Sequence, residues 1–130
     1  MKYFIAFALL VVAVSALSDE KKQQIKAFGE ECLTSSGVEK EKITLLRQGT
    51  FSDDPKLKNF IFCVFTKSGG MNADGTFNKA VVETDFAGSP DALKAALACL
   101  DTHGATPEDT AFETYKCYRS KVPAGYKTPW

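Results

Sequence analysis

The stretch DPKLKNFIFCVF, residues 54–65, decides the fold of this chain. Asp54 is a capping residue placed directly before a proline, and a proline is well tolerated at the first helical position because no N–H is needed there. Apolar residues then recur at the spacing of one helical face, and Cys63 lies within that run. The stretch therefore predicts an amphipathic, largely buried helix from Pro55 to about Ser68 that is cross-linked to another part of the chain.

The same start signal occurs twice more along the chain. Ser89-Pro90 and Thr106-Pro107 repeat the pattern of a capping side chain followed by proline, and glycines or serines mark several helix ends. The predicted helices cover approximately residues 18–33, 39–48, 55–68, 78–86, 90–102 and 107–121. We expect an all-α fold, a compact bundle of about six short helices around an apolar cavity.

The N-terminus has the pattern of a secretory signal peptide over residues 1–16. Lys2 supplies the basic start, an apolar run extends from Phe4 to Val14, and Val14-Ser15-Ala16 gives the small-residue cleavage pattern. The apolar run is too short to span a bilayer comfortably. We therefore expect a protein exported to an extracellular fluid.

Residues 17–130 are predicted to form one helical domain with a C-terminal tail at 123–130, since this length suits one domain and not two. Sixteen Lys and Arg balance sixteen Asp and Glu, and without Lys2 the count is fifteen against sixteen, a net charge of −1. The balance argues against nucleic acid or an anionic membrane as the main partner.

The four cysteines are Cys32, Cys63, Cys99 and Cys117. In an exported protein an even number of cysteines indicates disulfides unless a metal-binding pattern competes. No two of them lie within four residues, and His103 is the only histidine, so no zinc site is expected. Four cysteines allow three pairings; sequence alone does not choose among them, although the helix layout favours Cys32 with Cys63 and Cys99 with Cys117. Each bridge should be worth roughly 3 to 4 kcal/mol.

No catalytic constellation is found. With the thiols oxidised, a nucleophile beside a base is missing, and we expect His103 at the surface, where His103-Gly104 would end a helix. The carboxylate pairs Asp53-Asp54 and Glu108-Asp109 fall in first helical turns or just before them, where acidic side chains stabilise helices without any chemistry. We expect no catalytic residues, no cofactor and no enzymatic activity.

Three stretches carry a family resemblance: KLKNFIFCVF at residues 56–65, GMNADG at 70–75 and AFETYKCY at 111–118. They resemble insect odorant-binding proteins of the pheromone and general odorant-binding type. That family commonly has six cysteines, the second three residues before the third and the fifth eight residues before the sixth. Asn59 and Glu108 stand at those two positions here. Because the family joins the two positions to each other, the chain is similar to the four-cysteine "minus-C" branch.

The resemblance implies a six-helix domain with an internal apolar cavity, and it implies the same two disulfides that the helix layout favours. It also implies that one bridge is missing. Without a bond from Asn59 to Glu108, we expect the third and sixth helices to be held there by packing alone, so that the cavity opens more easily.

Ten phenylalanines, four tyrosines and one tryptophan are many for 130 residues. For any single aromatic residue a packed core is the ordinary role. Short cross-linked helices nevertheless leave gaps that rigid rings rarely fill, and a largely apolar cavity is the usual small-molecule site. The predicted cavity wall consists of Phe28, Ile43, Leu46, Phe60, Ile61, Val64, Phe65, Phe86, Leu93, Leu97, Phe112 and Tyr115.

Three further aromatic residues complete the predicted site. Tyr118 is expected to offer its hydroxyl to a ligand oxygen. Tyr126 and Trp130 are expected to fold over the cavity mouth, because an aromatic tail would otherwise stay exposed, although a frayed and functionless end is an equal alternative.

These expectations, together with the resemblance, favour a secreted carrier that binds and solubilises small hydrophobic molecules, such as odorants or pheromones, in sensory lymph or haemolymph. The alternative is a secreted defence or inhibitor protein that acts through its outer surface, and a hydrolytic enzyme is a distant third. The expected partners are a small hydrophobic ligand and, in sensory tissue, a membrane receptor. The protein is expected to be a monomer or a weak homodimer.

Overall fold

The computed structural model describes residues 19–122, which form six α-helices. They are α1 (Asp19–Ser36), α2 (Lys40–Arg47), α3 (Pro55–Lys67), α4 (Lys79–Asp85), α5 (Pro90–Ala98) and α6 (Pro107–Lys121). Within this range the only β pairing is one isolated bridge, Met71 with Phe77. The prediction of an all-α bundle of six helices is confirmed. The predicted signal peptide and the tail at 123–130 lie outside the described residues.

The starts of α3, α5 and α6 are set by local chemistry. At each start the predicted capping side chain accepts a hydrogen bond from a backbone N–H in the first turn, Asp54 from Lys56, Ser89 from Ala92 and Thr106 from Asp109. Proline follows each cap and fixes φ near a helical value. The three predicted start positions are therefore the observed ones.

The end of α5 differs from the prediction. The helix ends at Ala98, one turn early, so His103-Gly104 does not cap it; that expectation was wrong, although His103 is exposed as predicted. Gly104 serves a different purpose. Its N–H donates to Thr110 Oγ1 at 2.9 Å, and a Cβ there would lie 2.5 Å from the Cβ of Asp109. Glycine at this position allows the loop to approach α6 closely.

The hydrophobic core is centred on α3, which packs against α1 on one side and α6 on the other. Leu57, Phe60, Ile61 and Val64 of α3 are almost completely buried. The contiguous core cluster consists of Ile25, Cys32, Val38, Ile43, Leu46, Leu57, Phe60, Ile61, Val64, Met71, Ala111, Phe112 and Tyr115. All of its helical members come from α1, α2, α3 and α6.

The hairpin of α4 and α5 forms a separate layer. Its main contacts are between its own two helices and between α5 and α6. Val82 of α4 and Ala92, Ala95 and Ala96 of α5 are buried, yet none of them belongs to the core cluster. The hairpin is thus attached mainly through α6.

Two disulfides connect these parts. Cys32 bonds Cys63 and joins α1 to α3, with the two Cα atoms 5.7 Å apart. Cys99 bonds Cys117 and joins the end of α5 to α6, with the Cα atoms 5.8 Å apart. The predicted pairing is confirmed, and all four cysteines are used.

An ion pair lies beside the two positions where the family's third bridge would be. Lys58, next to Asn59, donates from Nζ to Oδ1 of Asp109, next to Glu108, at 2.8 Å. The same Nζ lies 3.0 Å from Oδ1 of Asp53. The expectation that packing alone holds α3 to α6 at this point was wrong, because the ion pair of Lys58 with Asp109 also joins the two helices.

Removal of the Cys99–Cys117 bond, in the double variant C99A/C117A, should lower the free energy of unfolding by roughly 3 kcal/mol. The bond closes a short loop and fastens the α4–α5 hairpin to α6. Denaturant titration measures the loss, and hydrogen exchange locates it. Amides of α4 and α5 should exchange faster in this variant than in C32A/C63A, which serves as the matched control. Equal exchange of the hairpin in the two variants would contradict its separate attachment.

The Lys58–Asp109 ion pair should make the free energy of unfolding depend on pH in the acid range. The hydrogen bond from Lys58, followed by that from Thr106, holds the pKa of Asp109 below its usual range. Such a carboxylate stabilises the fold above its unfolded pKa of about 4 and loses that contribution as pH falls through the lower folded value. In the variant D109N, the thermal midpoint should be lower at neutral pH and should fall less on acidification.

Asp53 provides the control for this experiment, because its side chain is 88% exposed although it contacts the same lysine. D53N should change the acid dependence little, since exposed ion pairs are screened by water. An identical acid response in wild type and D109N would show that the ion pair contributes nothing.

Candidate functional site

A groove of about 320 Å³ lies between α1 and α2, with Phe60 of α3 among its lining residues. We call it the α1–α2 groove; its lining is Lys26, Gly29, Glu30, Leu33, Lys40, Ile43, Thr44, Arg47 and Phe60. Ile43 and Phe60 are two of the predicted wall residues. Lys26, Lys40, Arg47 and Glu30 are all exposed, so this groove combines an apolar part with a charged rim.

Four further apolar side chains come from the hairpin and from α6. They are Phe86, directly after α4, Leu93 and Leu97 on α5, and Tyr118 on α6, and we call these four residues the α4–α6 apolar face. All four are half-buried, and none belongs to the core cluster or packs against it. The rings of Phe86 and Tyr118 contact each other, with centroids 5.7 Å apart. These side chains therefore retain accessible apolar surface that the core does not cover.

The structure divides the predicted cavity wall into two groups. Seven residues lie in the core cluster and Phe65 packs against it; the seven are Ile43, Leu46, Phe60, Ile61, Val64, Phe112 and Tyr115. Phe28 and the four residues of the α4–α6 apolar face are half-buried. Tyr126 and Trp130 lie outside the described residues. Ligand contact by any of these residues stays a prediction.

A charged residue of α1 lies close to the α4–α6 apolar face. Lys21 donates from Nζ to the carbonyl oxygen of Ser68 at 2.9 Å and lies 3.3 Å from Oδ2 of Asp85, the residue before Phe86. Burial raises the pKa of Asp85 above its ordinary value, and the charge of Lys21 opposes that rise. The ion pair thus offsets only part of the hydration that the carboxylate loses.

Sequence reasoning missed two polar residues of α6. Thr110 and Thr114 are both 5% exposed, although threonine is usually exposed. Their four-residue spacing, continued by Tyr118, is the one signal in the sequence that could have placed them on a common buried face. Over residues 20–122 no group of three potential ligand side chains is arranged to hold a metal ion.

The comparison with known protein families agrees with the observed fold. The PBP/GOBP family model matches residues 14–121 of the chain. This chain belongs to the PBP/GOBP family. The resemblance to odorant-binding proteins is thereby confirmed, and four cysteines in two disulfides fit the minus-C type.

Individual relatives support the same membership. The chain is 36% identical over 121 residues to the B1 protein of Tenebrio molitor, covering 88% of this chain and 91% of the relative. Among solved structures it resembles the fatty acid binding protein OBP56a from the oral disk of the blowfly Phormia regina. That match has 31% identity and a TM-score of 0.64, and it covers 81% of this chain and 94% of the other.

A second solved structure shows the shared fold alone. Odorant Binding Protein 4 of the predator Chrysopa pallens is 20% identical, with a TM-score of 0.71, and the match covers 83% of this chain and 94% of the other. Across residues 19–122, no helix combines the length and the apolar content that a membrane crossing needs.

Proposed function

We propose that the protein is a secreted carrier that binds a small hydrophobic molecule against the α4–α6 apolar face. The observation that carries the proposal is the half-burial of Phe86, Leu93, Leu97 and Tyr118 outside the core cluster. Protein interiors are close-packed, so neighbouring helices rarely leave several large apolar side chains outside the core without a use. A hydrophobic guest would cover this surface and remove it from water.

The energy available from this burial is sufficient for a carrier. Apolar surface contributes roughly 25 cal/mol per Å² when it leaves water. A ligand with about 300 Å² of such surface would gain about 7 kcal/mol before ordering costs are subtracted. The gross figure corresponds to a Kd of about 10 μM, so this burial alone supports micromolar affinity at best. Specificity should be broad, because one methylene changes binding by only about 1–3 kcal/mol.

The family and its members support the ligand class. Membership of the PBP/GOBP family supports a small-ligand carrier, and the blowfly relative OBP56a is a fatty acid binding protein. We therefore propose compounds with a hydrocarbon body as ligands. Export through the predicted signal peptide at residues 1–16 is part of this proposal, since a carrier of this kind works in an aqueous body fluid. No feature among residues 19–122 favours the alternative of a defence or inhibitor protein.

A pair of tryptophan substitutions should locate the site. L97W places an indole on the α4–α6 apolar face and should weaken binding of a naphthylamine fluorescent probe by about tenfold or more, because the ring occupies the space of the guest. T44W places the same group in the α1–α2 groove, where Thr44 is exposed, and should leave the probe affinity unchanged. Probe titration followed by displacement with a long-chain alcohol gives both affinities.

The reverse result, loss of binding in T44W alone, would move the site to the α1–α2 groove. Absence of probe binding to the wild-type protein would overturn the carrier function. Circular dichroism spectra of both variants confirm that each is folded before its affinity is compared.

The predicted closing of the site by Tyr126 and Trp130 can be tested by deletion of residues 124–130. The dissociation rate of the probe, measured by stopped-flow mixing, should rise because the aromatic side chains no longer cover the exit. The double variant Y126A/W130A should reproduce the rise if the rings and not the backbone are responsible. An unchanged rate in both would support a tail without this role. In the wild-type protein Trp130 is the only tryptophan, so its emission should shift on ligand binding if the tail covers the site.

A further inference from the structure

Thr114 carries a buried hydroxyl without a partner. The residue lies in the middle of α6 and is 5% exposed, and Oγ1 makes no hydrogen bond within the part of the chain that the structure describes. Burial of an unmatched hydroxyl is unfavourable, and buried polar groups in native proteins nearly always have a partner. The exception therefore requires a physical explanation.

The other threonines in the described helices show how unusual this is. Four of them donate their hydroxyl to the carbonyl four residues earlier, Thr34 to Glu30, Thr44 to Lys40, Thr66 to Phe62 and Thr84 to Ala80. Such a bond to the preceding turn is a common arrangement for a helical threonine. A fifth, Thr110, accepts from the N–H of Gly104 instead. Among these six helical threonines, Thr114 alone has a hydroxyl with no partner.

The helix register places Thr114 one turn from Tyr118, which belongs to the proposed site. Thr110, Thr114 and Tyr118 follow one another at intervals of one turn, so they share one stripe of α6. At one end of the stripe Tyr118 contacts Phe86 of the α4–α6 apolar face. Phe112 and Tyr115 lie on other faces of the helix and belong to the core cluster. On the stripe that leads to Tyr118, Thr110 accepts a hydrogen bond from Gly104, whereas the hydroxyl of Thr114 remains unmatched.

We propose that Thr114 is the specificity-determining residue of the carrier, and that its hydroxyl bonds to a single oxygen on an otherwise apolar ligand. This rests on the proposed function. A hydroxyl both donates and accepts, so it can serve a ligand carbonyl as well as an alcohol. A ligand without oxygen would leave the hydroxyl unmatched and should bind less well, because rejection by an unpaired buried group is a strong source of discrimination. The protein should therefore prefer oxygenated ligands over hydrocarbons of equal length.

The test compares T114V with T110V. Both threonines are 5% exposed and lie one turn apart on the same helix, and valine keeps their shape while removing the hydroxyl. Competition against the fluorescent probe gives affinities for decan-1-ol and undecane, which match in length. In T114V the affinity for decan-1-ol should fall about tenfold, the affinity for undecane should stay the same or rise, and the thermal midpoint should not fall.

T110V should behave in the opposite way. Loss of the bond from Gly104 should lower its thermal midpoint, while the ratio of the two affinities stays at the wild-type value. T114S, which retains a hydroxyl, should restore the preference for decan-1-ol.

Three outcomes would overturn the proposal. If the wild-type protein binds both compounds and T114V leaves their ratio unchanged, the role of Thr114 is wrong while the carrier function stands. A fall in thermal midpoint for T114V as large as that for T110V would show a structural hydroxyl and also overturn the assignment. Failure of the wild-type protein to bind the probe and both compounds would overturn the carrier function and the assignment together.

Discussion

Burial of α3 between α1 and α6 is the contact on which the rest of the structure depends. Four of its side chains are almost inaccessible to solvent, its Cys63 is bonded to α1, and its Lys58 is paired with α6. The helix α3 therefore contacts α1 and α6 through its apolar stripe, is bonded to α1 by a disulfide, and is paired with α6 by a charged side chain. A domain of this size has few apolar side chains with which to form a core, and most of the buried cluster packs around α3. The α4–α5 hairpin packs mainly on α6, and half-buried apolar side chains of the hairpin and of α6 form the candidate site.

The ion pair of Lys58 with Asp109 changes how α3 and α6 are held together. A disulfide at this place would fix the two backbones through covalent geometry, whereas a partly exposed ion pair can separate and re-form within the folded protein. It is also sensitive to salt and acid, which a disulfide is not. The cation also lies 5.4 Å from the ring centroid of Phe112, so a cation–π attraction adds to the ion pair. At this point α3 and α6 are therefore connected, but by a contact that can break and re-form.

Features encoded within a few residues were predictable from sequence. The three Pro-marked helix starts are decided by one capping side chain and the first turn, and they were predicted correctly. The disulfide pairing needed the helix layout together with the family resemblance. The end of α5 was mispredicted because the loop after it is drawn towards Thr110, a contact that no local pattern contains. Lys58 and Asp109 are 51 residues apart, and no residue near either of them in the sequence indicates that they form an ion pair.

For the site, the aromatic composition indicated apolar surface, but which rings enter the core depends on tertiary packing. Thr114 escaped notice because a helical threonine ordinarily satisfies its hydroxyl within its own helix.

Separate attachment of the α4–α5 hairpin has a consequence for how such a protein diversifies over generations. Substitutions that enlarge, narrow or recharge the inner side of these two helices leave the cluster around α3 untouched, since the hairpin contributes no side chain to it. Such changes can alter the part of the site that the hairpin contributes while the largest buried cluster keeps its packing. Lineages that share the α3-centred scaffold can therefore vary their chemical preference on the hairpin side of the site, whereas changes on α6 also affect a helix of the core.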